Sequence, residues 1–146
     1  MLARPILAAA VLAAAFAPAA SAADGAKLFA ATCQACHQAG GVGAPGLAPP
    51  LVSPVLANAA SKQKDYPALV VIHGLSGPLP LAGGGSLTSA MPAQQGLGDD
   101  DIAAVVNYVY RLNHAKTTIT SADVARLRGQ PVDNGALKRI RAELMP

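Results

Sequence analysis

Five residues, Cys33-Gln34-Ala35-Cys36-His37, carry the most plainly encoded chemistry of the chain. On a helical turn, positions i and i+3 share a face, so two thiols at that spacing can reach the two vinyl groups of one porphyrin. The residue after the second thiol then brings an imidazole nitrogen under the iron. Cys-x-x-Cys-His in that order is the attachment signature of a c-type haem. Two other chemistries use paired cysteines. A thioredoxin-type disulfide wants a βαβ context, and this neighbourhood is Ala- and Gly-rich without strand patterning. A zinc site needs a second ligand pair at finger spacing, and none follows. Cys33 and Cys36 are the only cysteines, so no other thiol competes for the role.

A motif of this kind needs helices to carry it and loops to close over it. Asp24 is placed to N-cap a helix from Gly25 through Thr32 into the haem motif. Gly40 to Pro50 holds four Gly and three Pro and reads as loop. A short helix from Pro54 to Ala60 follows, capped by Ser53. Asp65-Tyr66-Pro67 opens another that runs to His73 and stops at Gly74. Gly77 to Gly98 reads again as Gly/Pro-rich loop, and it carries Met91. Gly83-Gly84-Gly85 lacks the Lys and following helix of a phosphate loop and reads as slack in that segment. The clearest helix begins at Gly98 to Asp101, repeats Ile102, Val105, Val106 and Val109 on one face, and ends near Asn113. Beyond it, Thr120 to Asp123 has capping-box spacing for a helix to Arg128, and a last helix spans Ala136 to Leu144. With no strand alternation and no internal repeat, the expected fold class is all-α with long loops.

The first residues fall outside this plan. Arg4, an apolar run from Ile6 to Ala17 and Ala20-Ser21-Ala22 have the layout of a secretory signal peptide over 1–22, cleaved after Ala22. The run is short for a bilayer span, so a retained anchor is the weaker alternative, and no later stretch is long and apolar enough to cross a membrane. What remains is the length of one domain. It contains no Trp and, past Phe16, a single Phe. Ala, Gly and Pro bury little surface each, so a porphyrin would supply the missing bulk, and the haem-free chain is expected to be largely unfolded.

Residues 23–115 resemble a class I cytochrome c domain. Gly25, Phe29 and Cys33 stand four apart, as a Gly, an aromatic and the first haem Cys do in that family's N-terminal helix, and Val105 and Tyr108 stand where the last core helix crosses it. Pro49, in Ala48-Pro49-Pro50-Leu51, resembles the family's proline whose carbonyl accepts the ring N–H of the haem histidine. Met91-Pro92 resembles the distal-ligand motif. A finer resemblance, to haem domains of bacterial dehydrogenase and respiratory cytochrome subunits, rests on Pro49-Pro50-Leu51, Val71 to Pro78 and Ala90-Met91-Pro92. The chain departs from the pattern in two places: it has one Cys-x-x-Cys-His where those subunits often have several, and Leu112-Asn113-His114 where a Trp-Gly-Asn is common.

The resemblance implies a cytochrome c fold wrapped around one covalent haem c. Cys33 and Cys36 form its thioethers, His37 is the proximal ligand with Pro49 as its carbonyl partner, and Met91 is the distal ligand. A thioether donor favours ferrous iron and raises the potential, and two filled axial positions leave electron transfer rather than catalysis. His73 and His114 are alternative ligands, with packing or capping as the commoner fate of such residues. Tyr66 and Arg111 are candidates for contact with the haem propionates, or for ordinary surface roles.

Charge is unevenly spread. The 23–115 core nets −1, whereas 116–146, a basic C-terminal helical extension, nets +3. The stretches 33–61 and 66–98 contain no Asp, Glu, Lys or Arg and are expected to frame the haem. An uncharged rim suits short-range apolar docking with a redox protein, a dehydrogenase, oxidase or other cytochrome, rather than electrostatic steering. The extension, interleaved with acids and lacking aromatics, is no nucleic-acid arm; it either folds back on the core or clasps an acidic partner. The resulting expectation is a periplasmic, non-enzymatic electron carrier relaying between a dehydrogenase and the respiratory chain. The alternative is a haem subunit taking part directly in sulfur-compound oxidation or peroxide reduction, which requires an open iron.

Overall fold

The computed structural model describes residues 24–146, so the signal-peptide reading of 1–22 lies outside the described residues. Seven α-helices, a single 3-10 turn and one two-stranded ribbon make up the described chain. α1 (Gly25–Thr32) starts where its cap dictates, since the Asp24 carboxylate accepts from the Ala26 and Lys27 amides. α2 (Gln34–His37) is the haem-motif turn itself. α3 (Pro54–Lys62) is capped by Ser53, and α4 (Tyr66–His73) ends where Gly74 takes φ +76°. α5 (Asp99–Leu112) carries three acids in its first turn, and the Asp101 carboxylate accepts from the Gly98 amide. α6 (Ser121–Arg128) is opened by the Thr120/Asp123 capping box. α7 (Asn134–Leu144) begins two residues before the expected start, because Asp133 caps it through the Ala136 amide.

The mainly helical expectation holds, with one segment built otherwise. Largely within the stretch Gly77 to Gly98 expected as loop, and starting two residues before it, β1 (Leu75–Pro80) and β2 (Ser86–Met91) pair antiparallel from Leu75↔Met91 to Pro80↔Ser86. Pro78 and Pro80 remove donors that an interior strand would need, yet in a ribbon both strands are edges and the missing N–H groups can face outward. Leu75 and Leu79 are buried in the core and fasten the ribbon to it, and Leu87 is buried as well. Gly84 and Gly85, both at positive φ, form the connecting turn that the sequence presents as slack.

The core lies where α1, α3, α4 and α5 meet the extension. α1 and α5 cross so closely that a Cβ on Gly25 would collide with the Ala104 carbonyl oxygen. Phe29 and Tyr108 pack there with ring centroids 5.2 Å apart. Residues 116–146 fold back on this core: α6 lies on α5 and α4, and α7 on α3, α4 and β1. Val124, Leu127, Leu137 and Leu144 are each fully buried, contributing roughly 1.5–3 kcal/mol apiece. Two asparagines act as backbone clamps: Asn107 bonds both the N–H and C=O of Ile119, and Asn134 does the same for Ser76 on β1. The opposite charges of core and extension meet in the pairs Arg126–Asp65, Lys64–Asp123 and Arg128–Asp99. Exposed pairs of this kind add little stability each.

Candidate functional site

α2, the ribbon and α5 border one crevice that opens to solvent and is lined almost wholly by apolar side chains. Cys33, His37, Pro49, Met91, Phe29, Tyr66 and the α5 valines Val105, Val106 and Val109 all line it. His37 and Met91 also line the adjoining mouth, together with Cys36.

Local geometry explains how each side chain arrives. The His37 amide closes the α2 turn on the Cys33 carbonyl at 2.9 Å. Its ring is buried at 6% exposure, and Nδ1 lies 3.1 Å from the Pro49 carbonyl oxygen. A carbonyl only accepts, so Nδ1 carries the proton and Nε2 keeps its lone pair. Burial pulls the imidazolium below its ordinary range, against the opposing pull of that carbonyl, so the ring is neutral at pH 7. A neutral imidazole fixed through its second nitrogen has the form of a metal ligand.

The Gly/Pro-rich stretch that brings Pro49 alongside is more ordered than its composition suggests. Gly43 donates to the His37 carbonyl, Leu51 donates to Gly41, and Ala44 and Ala48 form an isolated bridge. Gly43, at φ +78°, sits so tightly that a Cβ would meet the Pro50 nitrogen at 2.6 Å. Asn113, at the end of α5, anchors the far side: its amide donates to the Leu51 carbonyl at 2.8 Å, and its oxygen accepts from the Ser53 amide at 3.0 Å.

Met91 arrives from β2. Its place is set by the pairing with Leu75 and by Gly74, whose added Cβ would lie 2.7 Å from the Met91 carbonyl oxygen. The following segment is tied back to α4 by the Gln94 amide on the Val71 carbonyl at 2.8 Å. Neither His73 nor His114 lines the crevice. Tyr66 does and is buried, with burial pushing its phenol up and the nearby Arg141 cation pulling it back. Arg111 instead lies over the Tyr108 ring, 5.8 Å from its centroid, and contributes nothing to the lining.

One lining residue escapes sequence reasoning altogether. Arg141, on α7 and far along the chain from the haem motif, is the only charged side chain of the crevice among the described residues. It reads in sequence as one base among several in Lys138-Arg139-Ile140-Arg141; the only local signal is its place on the apolar side of α7, four residues after Leu137 and three before Leu144.

The lining therefore combines two thiols spaced for thioethers, a buried neutral imidazole, a thioether side chain and an apolar frame. That set fits a flat, largely apolar macrocycle carrying a metal, and the fold with this site is that of a c-type haem protein. The comparisons agree. The family model for cytochrome c matches residues 22–113. Cytochrome c-552 of Thermus thermophilus is 33% identical over 125 residues, covering 83% of this chain and 86% of the relative. A second cytochrome c-552 of the same species has the same identity, with 76% of its length covered. The chain belongs to the cytochrome c family, transfers electrons by haem, and carries one covalent haem c at its Cys-x-x-Cys-His motif.

Proposed function

We propose that the protein is a periplasmic one-electron carrier with His/Met ligation, relaying electrons between a dehydrogenase and the respiratory chain. Haem c, when bound, supplies a ferric/ferrous couple whose potential is raised by a thioether ligand. His37 holds the proximal position, kept neutral by burial and aimed by Pro49. Met91 holds the distal one, and Cys33 and Cys36 make the thioethers. The observation that carries the reading is the shared lining: Cys33, His37 and Met91 all border one crevice whose remaining wall, among the described residues, offers no carboxylate and no second imidazole for acid–base work. Export through the segment 1–22 accounts for where the haem would be attached.

The mouth favours docking by contact. Its lining residues carry no formal charge and include Leu47, an exposed large hydrophobic side chain. Such a rim suits a redox protein partner with an apolar patch of its own. Electron-transfer rates to the partner should change little between low and high ionic strength, and a steep fall with salt would contradict apolar docking. For the ligand set, the ferric protein should show the weak long-wavelength absorption band of thioether ligation. Its persistence in Met91→Ala, or its absence from the native protein, would overturn the assignment.

A further inference from the structure

The buried guanidinium of Arg141 lacks a counterion within the described chain. Its residue exposure is 7%, and it appears in no ion pair among the described residues. Nη2 donates to the Pro80 carbonyl at 3.2 Å, while Nε is buried with no partner. A buried cation without an anion is costly, and an unsatisfied N–H beside it adds to the cost. Arginine also presents two parallel N–H groups in a plane, the arrangement that a carboxylate matches.

Arg141 stands at a junction. It lines the haem crevice and also an adjoining pocket walled by Pro49 to Val55 on one side and Leu81 to Gly84, the turn of the ribbon, on the other. Among the described residues that second pocket has no charged side chain apart from Arg141 itself. A haem c brings two carboxylates into a lining that otherwise holds no charge. We propose that Arg141 is the counterion of a haem propionate, so that the C-terminal extension completes the haem site and keeps that propionate ionised. α7 then does more than cover the core, because it carries the positive charge that the charge-free stretches 33–61 and 66–98 lack. This inference rests on the haem reading above.

The groups able to confuse a pH experiment are few. From α4, Tyr66 faces the guanidinium and His73 lies on the last turn; α3 offers Lys62, and the ribbon offers none. The test is the midpoint potential of the purified holoprotein, measured by spectroelectrochemistry from about pH 5 to 9, the range that brackets a displaced carboxyl and a His. With Arg141 present the propionate stays ionised, and the potential should be nearly flat across that range. In Arg141→Met the propionate loses its counterion, its protonation moves into the range, and the potential should fall as pH rises through it. Arg141→Lys should restore most of the flat profile. Identical profiles in Arg141→Met and the wild type, with only a lower Tm, would overturn the proposal and leave Arg141 as a tie to Pro80. Should Arg141→Met yield no holoprotein, redox-difference infrared spectra of the wild type with isotopically labelled haem carboxyls decide the matter. Ionised propionates at pH 7 are expected, and two protonated ones would overturn the proposal. Protein without thioether-bound haem would instead sink the haem reading itself.

Discussion

His37 and Met91 enter the same crevice from walls of unlike construction. The histidine wall is a helical turn continued by a loop whose backbone is bonded to itself at His37–Gly43, Gly41–Leu51 and Ala44–Ala48, and whose end is gripped by Asn113. The ring has a dedicated acceptor, Pro49. The methionine wall is the last residue of a two-stranded ribbon, and an isolated ribbon is only marginally stable without a body to pack on. That body is partly the extension: Asn134 bonds Ser76, and Arg141 bonds Pro80, both on β1. One side is thus fixed by local bonds, whereas the other is fixed through contacts far apart in sequence. Met91 is accordingly the side chain expected to yield first under stress.

The largest effect should separate His37→Ala from Met91→Ala. Loss of the imidazole removes the proposed proximal ligand and its Pro49 bond from a buried site, and haem-containing folded protein should fail to accumulate. Met91→Ala should retain covalent haem and near-native helix content by circular dichroism. Equal damage from both would erase the distinction between the walls.

Next come the two glycines that let each wall close. Gly43→Ala and Gly74→Ala both place a Cβ against backbone atoms at a left-handed φ, and each should cost roughly 1–3 kcal/mol from overpacking, with about 1–2 more from the φ itself. Only Gly74→Ala, which abuts Met91, should weaken the long-wavelength ferric band. Weakening by Gly43→Ala alone would reverse the picture.

A smaller loss is expected from Asn113→Ala. It orphans the Leu51 carbonyl and the Ser53 amide, at roughly 1–3 kcal/mol for a buried unsatisfied group, measurable by denaturant unfolding.

The smallest effect is in the extension. The Asp123 carboxyl is held at about 2, below its ordinary 3.8, chiefly by the Thr120 amide and hydroxyl, with Lys64 adding to the effect. A folded-state value below the unfolded one stabilises above about 3.8 and is lost as pH falls towards 2. Between those values the Tm of wild type should decline more steeply than that of Asp123→Asn, and parallel declines would show that the cap is idle.

These contrasts also explain what could be read in advance. Asp24, Ser53, Gly74 and the Thr120/Asp123 pair announce helix ends because a cap acts over three or four residues, and α1, α3, α4, α5 and α6 lie close to their expected positions. The ribbon was hidden because Gly77, Pro78 and Pro80 argue against a strand, and only pairing with a neighbour, together with Leu79 docking in the core, overrides that preference. Gly25 was legible at a helix crossing through the resemblance to class I cytochromes c, which its local spacing to Phe29 and Cys33 carries. Arg141 was not, since its environment is assembled by α7 folding onto α3, α4 and β1, and Arg111, nearer in sequence to the core motif, stacks on Tyr108 instead.

The central claim is a closed iron held between His37 and Met91, and carbon monoxide tests it most directly. The ferrous holoprotein at neutral pH should bind no carbon monoxide, whereas ferrous Met91→Ala should bind it readily, with the spectral shift of an open sixth position. Ready binding by the wild type would contradict the account and favour a haem that meets its substrate directly.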